Sequence, residues 1–177
     1  MLELIHKRQS DRGYIDKQVE KEKLDRILEA GRVAPSACNS QPWKFIIVSD
    51  PKLLTEVAEA ASAKALGMNT FVSQAPLFIV IVREKANISS RIGAVVKAKD
   101  YSLIDIGIAA ENMCLQATAE GLGTCIMGWF NEKLIQKLLH IPTSKRIELL
   151  ISVGYSSKEL RTKIRKPHEE VISYNKY

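Results

Sequence analysis

Between Ser102 and Glu120 the chain carries a helix with almost no polar side. Ile104, Ile106, Ile108, Ala109, Ala110, Met113, Cys114, Leu115 and Ala117 occupy most of its circumference, and Asp105, Asn112 and Gln116 leave only a narrow polar stripe. Such a helix must be covered nearly all round, and 177 residues enclose a limited interior. It is either the central core helix of a monomer or a helix shared with a second copy. Periodicity does not say which chain covers a face; the expectation adopted is a homodimer interface. Ser102-Leu103-Ile104-Asp105 reads as a capping box with Asp in place of Glu, and Gly121 marks the far end.

The rest of the chain predicts one α+β domain over residues 1–177, with a central mixed or antiparallel β-sheet flanked by helices. Helices are expected over the first residues and from Glu20 to Arg32. A third starts at Asp50-Pro51, a capping acid followed by proline at the first helical position, and fades near Gly67. Phe45 to Val48, Leu77 to Val82, Thr124 to Trp129 and Ile147 to Val153 read as strands, and Asn131 caps a short helix. Leu77 to Val82, apolar throughout, fits a central strand covered on both faces. Val171 to Tyr174 could add an edge strand, to this sheet or to that of a partner subunit.

The apolar run Ala75 to Val82 is too short to cross a bilayer as a helix, and Met1 to Lys7 lacks the apolar segment of a signal peptide. Cys38, Cys114 and Cys125 are odd in number and show no Cys-x-x-Cys spacing. These features predict a cytoplasmic protein with reduced thiols, no membrane partner and no structural zinc. His6, His140 and His168 have no metal-ligand spacing, and no Ser-His-Asp set is legible.

Ala34-Pro35-Ser36-Ala37-Cys38-Asn39-Ser40-Gln41-Pro42-Trp43 interrupts two apolar elements with hydroxyls and amides held between prolines. A plain connection needs only a few turn residues; this one suits a planar, hydrogen-bonding ligand. The net charge of +6 favours anionic partners. Basic residues gather at Lys7, Arg8 and Arg12 and again at Arg161, Lys163, Arg165 and Lys166, without the interleaved aromatics of single-strand binders. A small phosphate site fits better than nucleic acid. The glycines of Gly121-Leu122-Gly123 follow a helix and lead into a strand, the reverse of a dinucleotide fingerprint, and read as a helix end and tight turn. Gly128, at a strand end, allows close approach of a flat ligand to the backbone.

Arg8-Gln9-Ser10-Asp11-Arg12, Ala34-Pro35-Ser36 with Asn39-Ser40-Gln41-Pro42-Trp43, Gly121-Leu122-Gly123 through Met127-Gly128-Trp129-Phe130, and Lys163-Ile164-Arg165 resemble the ordered motifs of the FMN-dependent nitroreductase family. The resemblance covers nearly the whole chain and implies an intertwined homodimer with FMN at the subunit interface. It implies that Arg8, Ser10, Arg12, Lys163 and Arg165 hold the phosphate and ribityl chain. Pro35, Ser36, Ala37 and Asn39 would cover the flavin from the second subunit, Met127 and Gly128 would lie at its N5 and O4 edge, and Asn69 would meet the pyrimidine edge. Trp43 is expected to support packing, and Cys38 and Cys125 to be small buried spacers.

The activity implied is reduction of nitroaromatic, quinone or related acceptors with NADH or NADPH, by ping-pong hydride exchange at the flavin. Gln9 stands where the family commonly has a second arginine, and the spans from Ala61 to Thr70 and Glu84 to Tyr101 leave little material for a substrate-covering insertion. A flavin-sequestering protein and a specialised flavin enzyme of the same fold with another substrate remain alternatives, as does a basic nucleic-acid-binding domain.

Overall fold

A strand apolar at every position is stable only when both its faces are covered. In the computed structural model, which describes residues 1–63, 67–90 and 98–177, that strand is β2 (Leu77–Arg83). It lies between β1 (Trp43–Val48) and β4 (Arg146–Gly154), and β3 (Gly123–Met127) completes a four-stranded sheet in the order β1-β2-β4-β3. Every pairing within the sheet is antiparallel.

Phe78, Val80 and Val82 point to one face, among Val57 and Ala61 of α3 (Pro51–Ala61) and Ile135 of α5 (Glu132–Leu138). Leu77, Ile79 and Ile81 point to the other, among Ile27 of α2 (Lys21–Arg32) and Ile106, Ala110 and Met113 of α4 (Tyr101–Ala119). The register slips between Ile81↔Leu149 and Val82↔Ile147, which inserts Glu148 as a bulge and keeps Ile147 on the Val82 face.

Local chemistry sets the helix ends. Asp50 accepts from Lys52 N and Leu53 N at 3.1 and 3.0 Å, as its position before Pro51 predicts. The helix it opens stops at Ala61, before the expected Gly67; residues 64–66 lie outside the described residues. Asn131 accepts from Leu134 N at 3.1 Å and starts α5. The capping box expected at Ser102–Asp105 does not form. Asp100 already caps α4 by accepting from Ser102 N at 3.2 Å, and Asp105, one turn further in, is buried at 4% exposure. At the other end Gly121 takes φ +76°, Gly121 N donates to Thr118 O at 3.1 Å and Leu122 N to Ala117 O at 2.8 Å. This left-handed closure turns the chain straight into β3.

Among the described residues, one side of α4 is buried and the other is exposed. Ile106, Ala109, Ala110, Met113, Cys114 and Ala117 are buried, whereas Leu103 and Ile104 are each 46% exposed and Ile108 37%. Among the described residues of one chain, Val171–Tyr174 adds no edge strand to the sheet; His168–Val171 forms the short exposed helix α6. One sheet edge is already occupied, because Ser10 pairs with Thr124 on the outside of β3. Among the described residues no helix is long and apolar enough to cross a membrane.

Candidate functional site

After α1 (Leu2–Lys7) the chain runs as an extended arm beside β3, where Ser10 pairs in parallel with Thr124 and Asp11 N donates to Thr124 O at 2.8 Å. The buried Asp11 carboxylate accepts from Gln9 Nε2 at 2.9 Å and Ser156 Oγ at 2.7 Å. Tyr14, also buried, sets its hydroxyl 2.7 Å from Ser152 Oγ on β4, and burial raises its pKa. The arm is thereby fastened to two strands.

The segment after β4 returns across this arm. Ser157 N donates to Gly13 O at 3.0 Å, Arg161 N to Gln9 Oε1 at 3.1 Å and Arg161 Nη2 to Ser10 O at 2.8 Å. Lys163 Nζ donates to His6 O. Arg8, Ser10 and Arg12 consequently share one cavity of about 370 Å³ with Lys163 and Arg165, residues more than a hundred positions away in the chain. Arg8 is paired with Glu111 of α4 at 3.1 Å; among the described residues no carboxylate pairs with Arg12, Lys163 or Arg165. Convergent guanidinium and ammonium donors with a serine hydroxyl suit a phosphate group.

Arg12 also borders a second cavity of about 390 Å³, together with Met68, Asn69 and Phe71. Asn69, left-handed at φ 55°, donates through Nδ2 to Ala61 O at 3.0 Å and Trp129 O at 3.1 Å. Its amide nitrogen thus fixes the exit of β3, and a ligand contact from Asn69 falls to Oδ1. Met127 is buried at that exit. Gly128 is exposed, and a Cβ there would meet nothing within 4 Å. From the basic cradle through Arg12 and Asn69 to Gly128, the expected residues lie along one side of the sheet.

The loop residues Pro35, Ser36, Ala37 and Asn39 do not join them in the same chain. They precede β1, at the sheet edge opposite β3, roughly 14 Å away for three strand spacings. Ala37 N donates to Asp105 Oδ1 at 3.1 Å and Ser36 Oγ accepts from Gln41 N at 2.9 Å. Trp43 stacks on Phe45, with centroids 6.2 Å apart and planes at 9°, as a packing residue.

Arg161, expected in the basic group near the end of the chain but not among the residues holding the phosphate, also lines the cradle; Arg161, Lys163 and Arg165 alternate, and an extended segment turns alternate side chains to one face. Sequence reasoning missed Gln9, whose amide joins Asp11 to the returning segment. Cys38 is exposed in one chain, contrary to the expected buried spacer, on the left-handed turn of the loop. Cys125 is buried, and burial pushes its thiol up although Arg12 opposes the shift; burial pushes Cys114 up to about 11.

A larger cavity of about 680 Å³ lies at the Arg83 end of β2. Three of its cations are matched internally, Arg83 on Asp100 at 2.7 Å, Arg146 on Glu132 at 2.9 Å, and Lys145 on Glu84, while Lys85 and Lys99 also line it. Glu84 and Asp100 line the larger cavity, whereas the first cradle is lined by basic and neutral residues alone, which makes it the better anion site.

Residues 5–155 match the family model described as the nitroreductase family. The chain is similar to an FMN-dependent nitroreductase from Clostridium difficile, with 31% identity, 100% of each chain covered and a TM-score of 0.80. It is 27% identical to an NADH dehydrogenase of Thermus thermophilus, covering 94% of this chain and 91% of the relative. It is also 25% identical to an iodotyrosine deiodinase of Thermotoga neapolitana, covering 100% of this chain and 98% of that one. With the mixed architecture and the antiparallel sheet, the match over most of its length means that this chain belongs to the nitroreductase family.

Proposed function

We propose that residues 1–177 form one FMN-binding unit of a homodimeric oxidoreductase, which takes electrons from NADH or NADPH and passes them to a nitroaromatic, quinone or related acceptor. The observation that carries this reading is the basic cradle, lined by no carboxylate and contiguous through Arg12 and Asn69 with the open backbone at Gly128. Arg8, Arg12, Lys163 and Arg165 would hold the phosphate, Ser10 would add a hydroxyl contact, and Met127 and Gly128 would present backbone to the ring. Bound FMN supplies the hydride chemistry, so no catalytic side chain is required.

The protein's own part is to bind, orient and enclose. One chain supplies the cradle but holds Pro35, Ser36, Ala37 and Asn39 at the far sheet edge, while α4 leaves Leu103, Ile104 and Ile108 uncovered. Pairing two chains through that stripe would bury it and allow the loop of one to close the site of the other. The unpaired cysteines fit a reducing compartment, the cytosol.

Anaerobic titration of the FMN-loaded protein with NADH and with NADPH tests the proposal: one of them bleaches the flavin absorbance, and a nitroaromatic or quinone then restores it. A yellow protein that neither nicotinamide bleaches is a flavin sequestrant, and a chain that takes up no FMN refutes the reading. The similarity to an iodotyrosine deiodinase favours a second reading, the same scaffold with a halogenated phenol as acceptor. Reoxidation by an iodophenol with iodide release, and none by nitro compounds or quinones, would select it.

A further inference from the structure

Cys38, Asn39 and Gln41 hold φ of 52°, 51° and 46°, a region that non-glycine residues occupy only when their surroundings impose it. The imposing contacts come largely from the connection that follows β2. Glu84 N donates to Pro42 O at 3.1 Å. Asn87 N donates to Ser40 Oγ at 2.9 Å, and Asn87 Nδ2 to Cys38 O at 2.8 Å, on the peptide that joins the left-handed pair. Asn87 Oδ1 accepts from Ser90 N at 2.9 Å. A carbonyl needs a donor and an N–H needs an acceptor, so these partners settle which way the amide points.

We propose that Asn87 is a positioning residue for the flavin cover: it locks the left-handed turn that presents Pro35–Asn39 to the ring. This role rests on the FMN reading given above. Residues 84–87 act as a buttress beneath the loop, and their contacts, which hold the strained turn at Cys38 and Asn39, keep it from relaxing away from the ligand before it arrives.

Asn87→Asp retains an oxygen for Ser90 N and removes the donor to Cys38 O; Ser40→Ala removes the second contact and leaves the Asn87–Ser90 bond alone. Equilibrium binding of FMN, competition by inorganic phosphate and the visible spectrum of bound FMN separate the ring side of the site from the phosphate side. Losing one such hydrogen bond together with the preset turn raises the Kd for FMN about tenfold in Asn87→Asp. The competing phosphate constant stays at the wild-type value, and the bound spectrum moves toward that of free FMN. Ser40→Ala moves in the same direction by less. Wild-type Kd and spectrum in both variants would overturn the assignment, as would a parallel loss of phosphate affinity, which marks general unfolding. If wild-type protein itself takes up no FMN, the proposed function falls first; if wild type binds and Asn87→Asp is indistinguishable from it, Asn87 alone is misassigned.

Discussion

Ser10 and Thr124 pair in parallel on the outer edge of β3, and this contact sets the arm from Gln9 to Ile15 alongside the strand that ends beside Gly128. Side chains of the arm and the backbone of the strand exit therefore face the same region. The returning segment crosses the arm through Arg161 and Ser157, so both ends of the chain build one cradle.

Phosphate recognition by this cradle makes Arg12→Ala and Arg165→Ala costly for FMN and nearly neutral for riboflavin. A charge-assisted hydrogen bond contributes about 1.5–3 kcal/mol, or roughly 10- to 100-fold in affinity. Fluorescence titration with the two flavins measures the ratio. Equal losses for FMN and riboflavin would remove the phosphate from this cavity.

The exposed stripe on α4 carries a prediction about assembly. Ile104→Asp places a charge among Leu103, Ile104 and Ile108, which are exposed in one chain, and a carboxylate left unpaired in an apolar interface is strongly destabilising there. Sedimentation should show a dimer for wild type and a monomer for the variant. The monomer should bind FMN at least about tenfold more weakly, since the loop of a partner no longer closes the site. A variant that stays dimeric with unchanged FMN affinity would move the interface elsewhere.

Most strands and helices were legible because their patterns are local: a fully apolar run in β2, Asp50 before Pro51, and Gly121 after α4. The cap of α4 was misplaced because Ser102 to Asp105 has the spacing of a capping box, and only the contacts from Ser102 N to Asp100 and from Ala37 N to Asp105 show that Asp100 caps the helix and Asp105 is engaged elsewhere. In the site, Arg8, Ser10, Arg12, Lys163 and Arg165 came from their motifs. Asn87 escaped because its role depends on contacts across more than forty positions, which no local period records, whereas the alternation that sets Arg161 beside Lys163 and Arg165 is local and legible. The apolar circumference of α4 was visible, but which half a single chain covers was not, because that depends on how α2 and the sheet pack against it.

Cysteine reactivity separates the exposed loop from the core. Cys38 is exposed, while Cys114 is buried with its thiol pushed up to about 11 and Cys125 is buried and also shifted up. Since only thiolates alkylate readily, iodoacetamide at mildly alkaline pH should modify native protein at Cys38 and spare the others, as peptide mass mapping would show. Bound FMN should protect Cys38 if the loop closes on the ligand. Rapid alkylation of Cys114 would contradict the packing of α4.

Gly123 is where β3 meets the buried carboxylate of the arm. A Cβ there would lie 2.7 Å from Asp11 Cγ, and Asp11 is held by Gln9 and Ser156, so it has little room to move. Gly123→Ala should destabilise the fold by about 1–3 kcal/mol in denaturant unfolding. Gly107→Ala, where a Cβ meets nothing within 4 Å in the same chain, is the matching control when both substitutions are made in the Ile104→Asp background, since Gly107 lies on the exposed stripe of α4, and there it should be neutral or stabilising by up to about 1 kcal/mol. Equal losses at both positions would argue against the close approach of arm and strand.

The end of α4 gives the fold an acid-sensitive tie. Arg26 on α2 donates to both oxygens of Glu120, at 2.7 and 2.8 Å, and Gln116 Nε2 donates to Oε1 at 2.8 Å. The bond from Arg26 leads the causes that lower the Glu120 pKa to about 2. A carboxyl whose folded pKa lies below its unfolded value binds its proton more readily once unfolded, so it stabilises the fold above the unfolded pKa. That contribution is complete above the ordinary value of 4.5 and is lost as pH falls toward about 2. Arg26→Gln should therefore lower Tm near neutral pH, and the gap from wild type should close across this interval as Glu120 takes up its proton in both proteins. Thermal unfolding of the pair at a series of pH values checks it. A gap that stays constant down to the lower limit would assign the effect of Arg26 to packing against α4 rather than to its charge.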